Sequence, residues 1–189
     1  MKTIAKIALI AGIAGAAAYG VEPQEKLTVY LRFTPIDRHT IRFMAQDMAA
    51  RMFAQIGVSL EWKPWQPATE SLRLPIVIDI VSETPDDLLP NALGYARPYE
   101  GGRITIFLDR VERTNYPAYV LAHVMVHEIT HVLQGVSRHS DSGVMKARWS
   151  IGDFCEMRQR AVPFASEDVR LIHDGLAARR ALLMEEVQR

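Results

Sequence analysis

The run PAYVLAHVMVHEITHVLQ, residues 117–134, constrains the fold more than any other part of the chain. It is a long, mostly apolar stretch at helical spacing, and a helix of that character has to be covered by other elements rather than lie on a surface. Pro117 suits the first helical turn, where no hydrogen-bonding N–H is lost, and Gly135 is a natural stop. The predicted helix spans 115–135. Its polar side chains come late, so whatever chemistry it carries is placed near its C-terminal end, inside the packed part of the domain.

The cover can be read in order along the chain. LTVYLRF, residues 27–33, alternates apolar and polar positions as a half-buried strand does. Thr34 suits a helix cap, with Pro35 at the first helical position and Asp37 near the positive end of the helix dipole. Ile41, Met44, Ala45, Met48, Met52 and Ile56 then recur at helical spacing up to Gly57. Strands are expected at 58–65 and 75–83, the second a nearly continuous apolar run suited to cover on both faces. A short strand at 93–96 and a firm one, RITIFLD at 103–109, complete the set. Beyond the long helix an irregular segment leads to a last helix over 166–185, with Val169, Ile172, Leu176 and Leu183 on one face. This order predicts an α+β fold: one mixed, mostly parallel sheet of four to five strands backed by helices, in a single domain over 21–189.

Lys and Arg number 22, as do Asp and Glu, with no long basic run, so there is no electrostatic case for nucleic acid as a partner. The first twenty residues differ in kind. Lys2 and Lys6 precede the apolar IALIAGIAGAAA, and Ala16, Ala18 and Gly20 supply small residues for cleavage, the pattern of an export signal over 1–20. Its apolar stretch falls short of the roughly twenty residues of a membrane span. A secreted or periplasmic protein with no stable membrane span after signal removal is expected. The one cysteine, Cys155, cannot form an internal disulfide, so the fold has to hold by packing and by any metal it binds.

HEITH, residues 127–131, points to such a metal. His127 and His131 stand four apart on a helix, so their imidazoles share one face with Cβ atoms about 5–6 Å apart, within reach of one ion. Zn2+ is the natural occupant of such a pair. Glu128 is rotated about 100° from His127, so it flanks the ion and is placed to take a proton from a water that the metal polarises. Five residues of this kind can coincide by chance; the position late in an apolar helix, just before a glycine stop, is what gives the motif weight. His123 extends the row, but eight residues span about 12 Å of helix axis while Zn–N bonds are about 2 Å, so it belongs behind the site or in the core. His39 and His173 fall on amphipathic helices and read as structural or exposed. The third ligand has to come from elsewhere. A left-handed Gly135 would turn the chain back past the metal and bring in His139, the favoured donor. Asp141 in the same loop, or Asp153 or Glu156 further on, would instead supply oxygen.

These residues resemble the signature of the metzincin clan of zinc endopeptidases, HExxHxxGxxH followed by a methionine in a tight turn. His127, Glu128 and His131 match residue for residue; Gly135 and His139 match in type and order, with VLQ and VSR each one residue longer than the clan's spacers. Met145, in SGVM, resembles the turn methionine, in a Met-turn over 143–146. The resemblance implies a zincin-like architecture with an active-site helix and a short C-terminal subdomain, and places strand 103–109 at the substrate-binding sheet edge. It implies His127, His131 and His139 as zinc ligands, Glu128 as the catalytic base and Met145 as the floor of the site. Trp149 would line a substrate pocket or sit in the core. No tyrosine follows Tyr119, so the tyrosine that some members place behind the methionine turn has no counterpart. Oxyanion stabilisation would fall to zinc, with Arg138 or Arg148 as helpers unless they are structural.

The expected function is an exported zinc metalloendopeptidase acting on peptide or protein substrates in extended conformation. Two other readings use the same residues. One is a zinc hydrolase of a cell-wall amide or other non-protein substrate; the other is a non-catalytic, zinc-stabilised binding protein. Glu128 speaks against the latter, because a structural ion fills its fourth position with protein and needs no base beside it.

Overall fold

The computed structural model describes residues 25–33, 38–86 and 91–187. The leader expected over 1–20 and the cap expected at Thr34, Pro35 and Asp37 lie outside the described residues. Five strands are present, β1 (Glu25–Phe33), β2 (Val58–Pro64), β3 (Ile76–Val81), β4 (Gly94–Ala96) and β5 (Arg103–Phe107). The helices are α1 (His39–Ala54), α2 (Leu108–Glu112), α3 (Pro117–Gln134), α4 (Ile151–Gln159) and α5 (Ser166–Val187), with a 3-10 turn at Pro67–Ser71.

Alternation in β1 sets the sheet. Leu27, Val29 and Leu31 are buried, and the register aligns Val29 with Ile76 and Leu31 with Ile78, while Ile78 and Ile80 align with Ile104 and Ile106. One face of the sheet is thus an aliphatic layer, against which α1 and α3 pack. The strand order is β2-β1-β3-β5-β4; the first four run parallel and β4 pairs antiparallel with β5. The mostly parallel five-stranded sheet therefore agrees with expectation, and its parallel core makes the fold mixed α/β.

Several local expectations are corrected. β5 is interior, not the sheet edge, because Gly101 (φ +90°) and Gly102 (φ +82°) turn the chain so that β4 folds back along it; β4 is the edge. RITIFLD also ends as a strand at Phe107, since Leu108 and Val111 turn inward as the buried side of α2. β3 is not covered by helices on both faces: on its outer side Asp79 pairs with Arg32 at 2.5 Å and Arg103 at 3.7 Å, and Arg103 also reaches Glu70. The segment after α3 contains a helix, α4, which buries only Met157 and so shows no apolar period; it is defined by a reciprocal cap between Ser150 and Asp153. On α1 the core positions are Ala45, Ala49, Met52 and Phe53, with Met44 turned out, and on α5 the apolar face ends before Leu183, which is 44% exposed.

α3 is the centre of the molecule. Residues 120–133 are buried without a break, and the helix meets α1, α2, α4 and α5 as well as strands β3, β4 and β5. A polar side chain on this helix has no water to turn to and must find partners in the protein.

Candidate metal centre

His127 and His131 meet that requirement in the same way. The Nδ1 of His127 lies 2.9 Å from the Val144 carbonyl, and the Nδ1 of His131 lies 3.2 Å from the Val136 carbonyl. A carbonyl only accepts, so each Nδ1 carries the proton and donates it, leaving both Nε2 lone pairs free. Those two nitrogens converge to 3.0 Å. Burial, reinforced by the neighbouring His131 ring, pushes the His127 imidazole down to about 3, and burial lowers His131 as well. Both rings are neutral at physiological pH, the form a cation binds.

Gly135 has the left-handed conformation expected of it, φ +65° and ψ +19°. The turn does two things at once. It swings Val136 round so that its carbonyl orients His131, and it sends the next residues back along the helix end. His139 arrives with its ring centroid 5.2 Å from that of His127 and 4.9 Å from that of His131. One ligand atom from each of the three rings lies within 4.8 Å of the others, the only such convergence of His, Cys, Asp or Glu among the described residues. The carboxylates weighed as oxygen donors are placed elsewhere: Asp141 is exposed, Asp153 caps α4 and pairs with Lys146, and Glu156 pairs with Arg160. Three neutral imidazoles with converging lone pairs form a donor set that suits Zn2+ and leaves a fourth position open.

Met145 is fully buried in a tight turn closed by a hydrogen bond from the Lys146 amide to the Gly143 carbonyl. Gly143 is obligatory there: φ is +78°, and a Cβ would meet the Pro163 carbonyl at 2.5 Å. The same turn presents the Val144 carbonyl to His127, so it orients a histidine of the cluster directly. His123 has a structural role. Its Nδ1 donates to the Tyr119 carbonyl at 2.7 Å and its Nε2 accepts from the Val162 amide at 3.1 Å, pinning the strand-like stretch before α5 to α3. His173 bridges α5 to the Ile56 carbonyl and Glu25, and His39 is exposed.

Glu128 is 7% exposed, and burial pushes its carboxyl up to about 8 against the opposing pull of the Ala96 amide. That amide identifies its surroundings. In the β4–β5 ladder the hydrogen-bonded positions are Leu93 and Arg97, bonded to Phe107 and Arg103, so Gly94 and Ala96 point their main-chain groups away from β5. Glu128 therefore stands against the free edge of the sheet.

No family model matches the chain, and no curated protein matches it. Among solved structures, the archaemetzincin of Methanopyrus kandleri aligns over 84% of this chain and 99% of its own, with a TM-score of 0.53 at 14% identity. The fold is archaemetzincin-like. A zinc-dependent peptidase from Methanocorpusculum labreanum aligns over 76% of this chain and 99% of its own, with a TM-score of 0.48 at 13% identity.

In this fold the histidines and Glu128 line one cleft of about 750 Å3. Leu93 and all of β4 line it too, as do Lys146 to Trp149 and Phe154. Trp149 stands edge-on to His127, ring centroids 5.5 Å apart, and against Phe154 at 6.4 Å, so it lines the cleft and stiffens the cluster together. Arg148 is exposed in the cleft, whereas Arg138 is structural, bonded to Asp168 at 2.7 Å. Two features of the site escaped the sequence reading. The edge position of β4 rests on the turn at Gly101 and Gly102, and two adjacent glycines do not by themselves say which strands they pair. Asp168, a buried carboxylate behind the His139 loop, has no sequence signal beyond that of any acidic residue in the first turn of a helix.

Proposed function

We propose that this protein is an exported zinc-dependent endopeptidase, with His127, His131 and His139 as the metal ligands and Glu128 as the catalytic base. The observation that carries the reading is the juxtaposition of three converging imidazoles with a buried carboxylate and a free strand edge in one cleft. A metal that only stabilised the fold would need neither the carboxylate nor the cleft.

Zinc held there supplies Lewis acidity to a water and to the scissile carbonyl. Glu128 takes the proton of the attacking water and passes it to the leaving nitrogen, a task suited to a carboxyl whose burial favours holding a proton. A peptide in extended form adds to the sheet beside β4, making main-chain hydrogen bonds with Gly94 and with the carbonyl of Ala96, whose amide is turned to Glu128. Docking on β4 sets the scissile bond beside Glu128, because the Ala96 amide already faces that carboxylate. Trp149 and Phe154 offer an apolar wall to a substrate side chain. Among the described residues no helix is long and apolar enough to cross a membrane. Export rests on residues 1–20 and is checked by the mature N-terminus, expected near Tyr19 to Val21.

The deciding experiment combines metal analysis with hydrolysis of peptide mixtures by wild type and Glu128→Gln. One zinc per chain in both, internal cleavage by wild type and none by the variant are expected. A zinc-loaded wild type that is inert on every peptide would overturn the proposal.

A further inference from the structure

His127 and His131 are each oriented by a hydrogen bond to a backbone carbonyl, whereas among the described residues the His139 ring makes no such hydrogen bond and packs against the other two imidazoles. It is exposed, and it sits in a segment, residues 137–140, without regular secondary structure. Something other than its own hydrogen bonds has to hold it in place. Its two neighbours supply the answer. Arg138 donates from Nη1 to Oδ1 of Asp168 at 2.7 Å, and Ser140 Oγ lies 2.8 Å from both Asp168 oxygens. Gln134, the last residue of α3, donates to the same Oδ1 at 3.2 Å, and Arg138 also reaches Ser140 Oγ at 3.2 Å. One carboxylate thus holds the chain before Gly135 and on both sides of His139.

We infer that Asp168 is a positioning residue that fixes His139 for metal binding by clamping Gln134, Arg138 and Ser140. The inference rests on the proposed ligand role of His139. Asp168 is 0% exposed, and a buried carboxylate is tolerated only where donors surround it, as they do here. Its distance from the loop is fixed by a second contact. Further along the same helix, Gly175 lies so close to the end of α3 that a Cβ there would fall 1.8 Å from the Leu133 carbonyl oxygen. The close approach seats α5 on the C-terminal end of α3, and Asp168, two turns earlier, is delivered behind the loop. Ordering a loop costs entropy that the metal would otherwise have to supply on binding, so releasing the clamp lowers affinity without removing a ligand.

The test is zinc affinity by chelator competition, with the visible spectrum of the Co2+-substituted protein as a second readout, on wild type, Asp168→Asn, His139→Ala and the double variant. Asp168→Asn is expected to weaken zinc about 10- to 100-fold and to alter the Co2+ spectrum. The double variant should bind no more weakly than His139→Ala, because a clamp has nothing to position once the ring is gone. Ser140→Ala with Arg138→Met releases the clamp from the loop side, and the same loss is expected; this keeps the test decisive if Asp168→Asn fails to fold. Unchanged affinity in the folded clamp variants, or losses that add to that of His139→Ala, would overturn the inference alone. Wild type that binds no zinc, or that binds it equally well as His139→Ala, would overturn the ligand assignment instead.

Discussion

In metal-free protein, replacing Glu128 with glutamine will remove a loss of stability that otherwise accompanies rising pH between pH 6.5 and 8. Burial raises the carboxyl from 4.5 to about 8 in the folded state, while the unfolded chain ionises near the ordinary value. Across this window the unfolded state has released its proton and the native state has kept most of it. The native state binds more protons, so its stability is fully present below the unfolded pKa and falls as pH rises through the folded one. The slope approaches about 1.4 kcal/mol per pH unit and tapers near pH 8, for a loss of about 1.5 kcal/mol over the window. The buried histidines, neutral in the folded state, add a rising contribution near pH 6.5, where the unfolded rings still hold part of a proton, but it is the same in wild type and variant and cancels in their difference. Urea denaturation of chelator-treated protein at four pH values measures the effect: wild type should lose about 1.5 kcal/mol more than Glu128→Gln. Saturating zinc should remove the Glu128 contribution from wild type too, since two positive charges beside the carboxylate favour its ionised form. Parallel curves for metal-free wild type and variant would show that Glu128 is already ionised in the native state, and the argument from burial would fail.

Below pH 6.5 the Glu128→Gln background exposes the opposite sign. The unfolded chain takes up a proton at each histidine while buried His127, held to about 3, does not, so the metal-free variant should lose about 1.5 kcal/mol between pH 6.5 and 5 from that ring alone. His123 and His131 act in the same direction, and the same denaturation series reads the sum. Two glycines should separate space from backbone conformation. Gly135→Ala meets nothing within 4 Å and pays only for a left-handed backbone, about 1 kcal/mol in thermal unfolding. Gly175→Ala drives a Cβ into the Leu133 carbonyl and should cost at least about 2 kcal/mol and loosen zinc as α5 lifts from α3.

What was legible in the sequence was whatever has a period or a motif. The alternation of Leu27, Val29 and Leu31 and the helical run through His127 and His131 are local patterns, and they fold as read. Gly135 was legible because a left-handed stop has a residue preference. Pairing was harder. β5 has the stronger strand signal and β4 only three residues, yet β4 holds the edge, since edge position depends on which partner a turn supplies and not on propensity. α4 was invisible to periodicity because it buries one side chain, and Met44 and Leu183 were misplaced because helical spacing says which residues share a face but not how far the covering element extends.

The lengthened arms of the motif have a physical resolution in the same terms. Spacer length fixes a ligand's position only when nothing else holds the loop; each added residue then adds freedom. Here the arm between His131 and His139 is held at three points that spacing does not encode. Gly135 bends it, the Val136 carbonyl ties it to His131, and Asp168 grips it from thirty residues beyond Arg138. A loop so restrained can carry an extra residue on either side of the glycine and still present its histidine, because the reach is set by α5 and not by the count. The consequence is directional. Shortening the VSR spacer by one residue should weaken zinc rather than strengthen it, since it would pull Arg138 and Ser140 off Asp168 while bringing His139 no nearer to its partners; chelator competition reads the change, and tighter binding would mean that spacing, not the clamp, governs the third ligand.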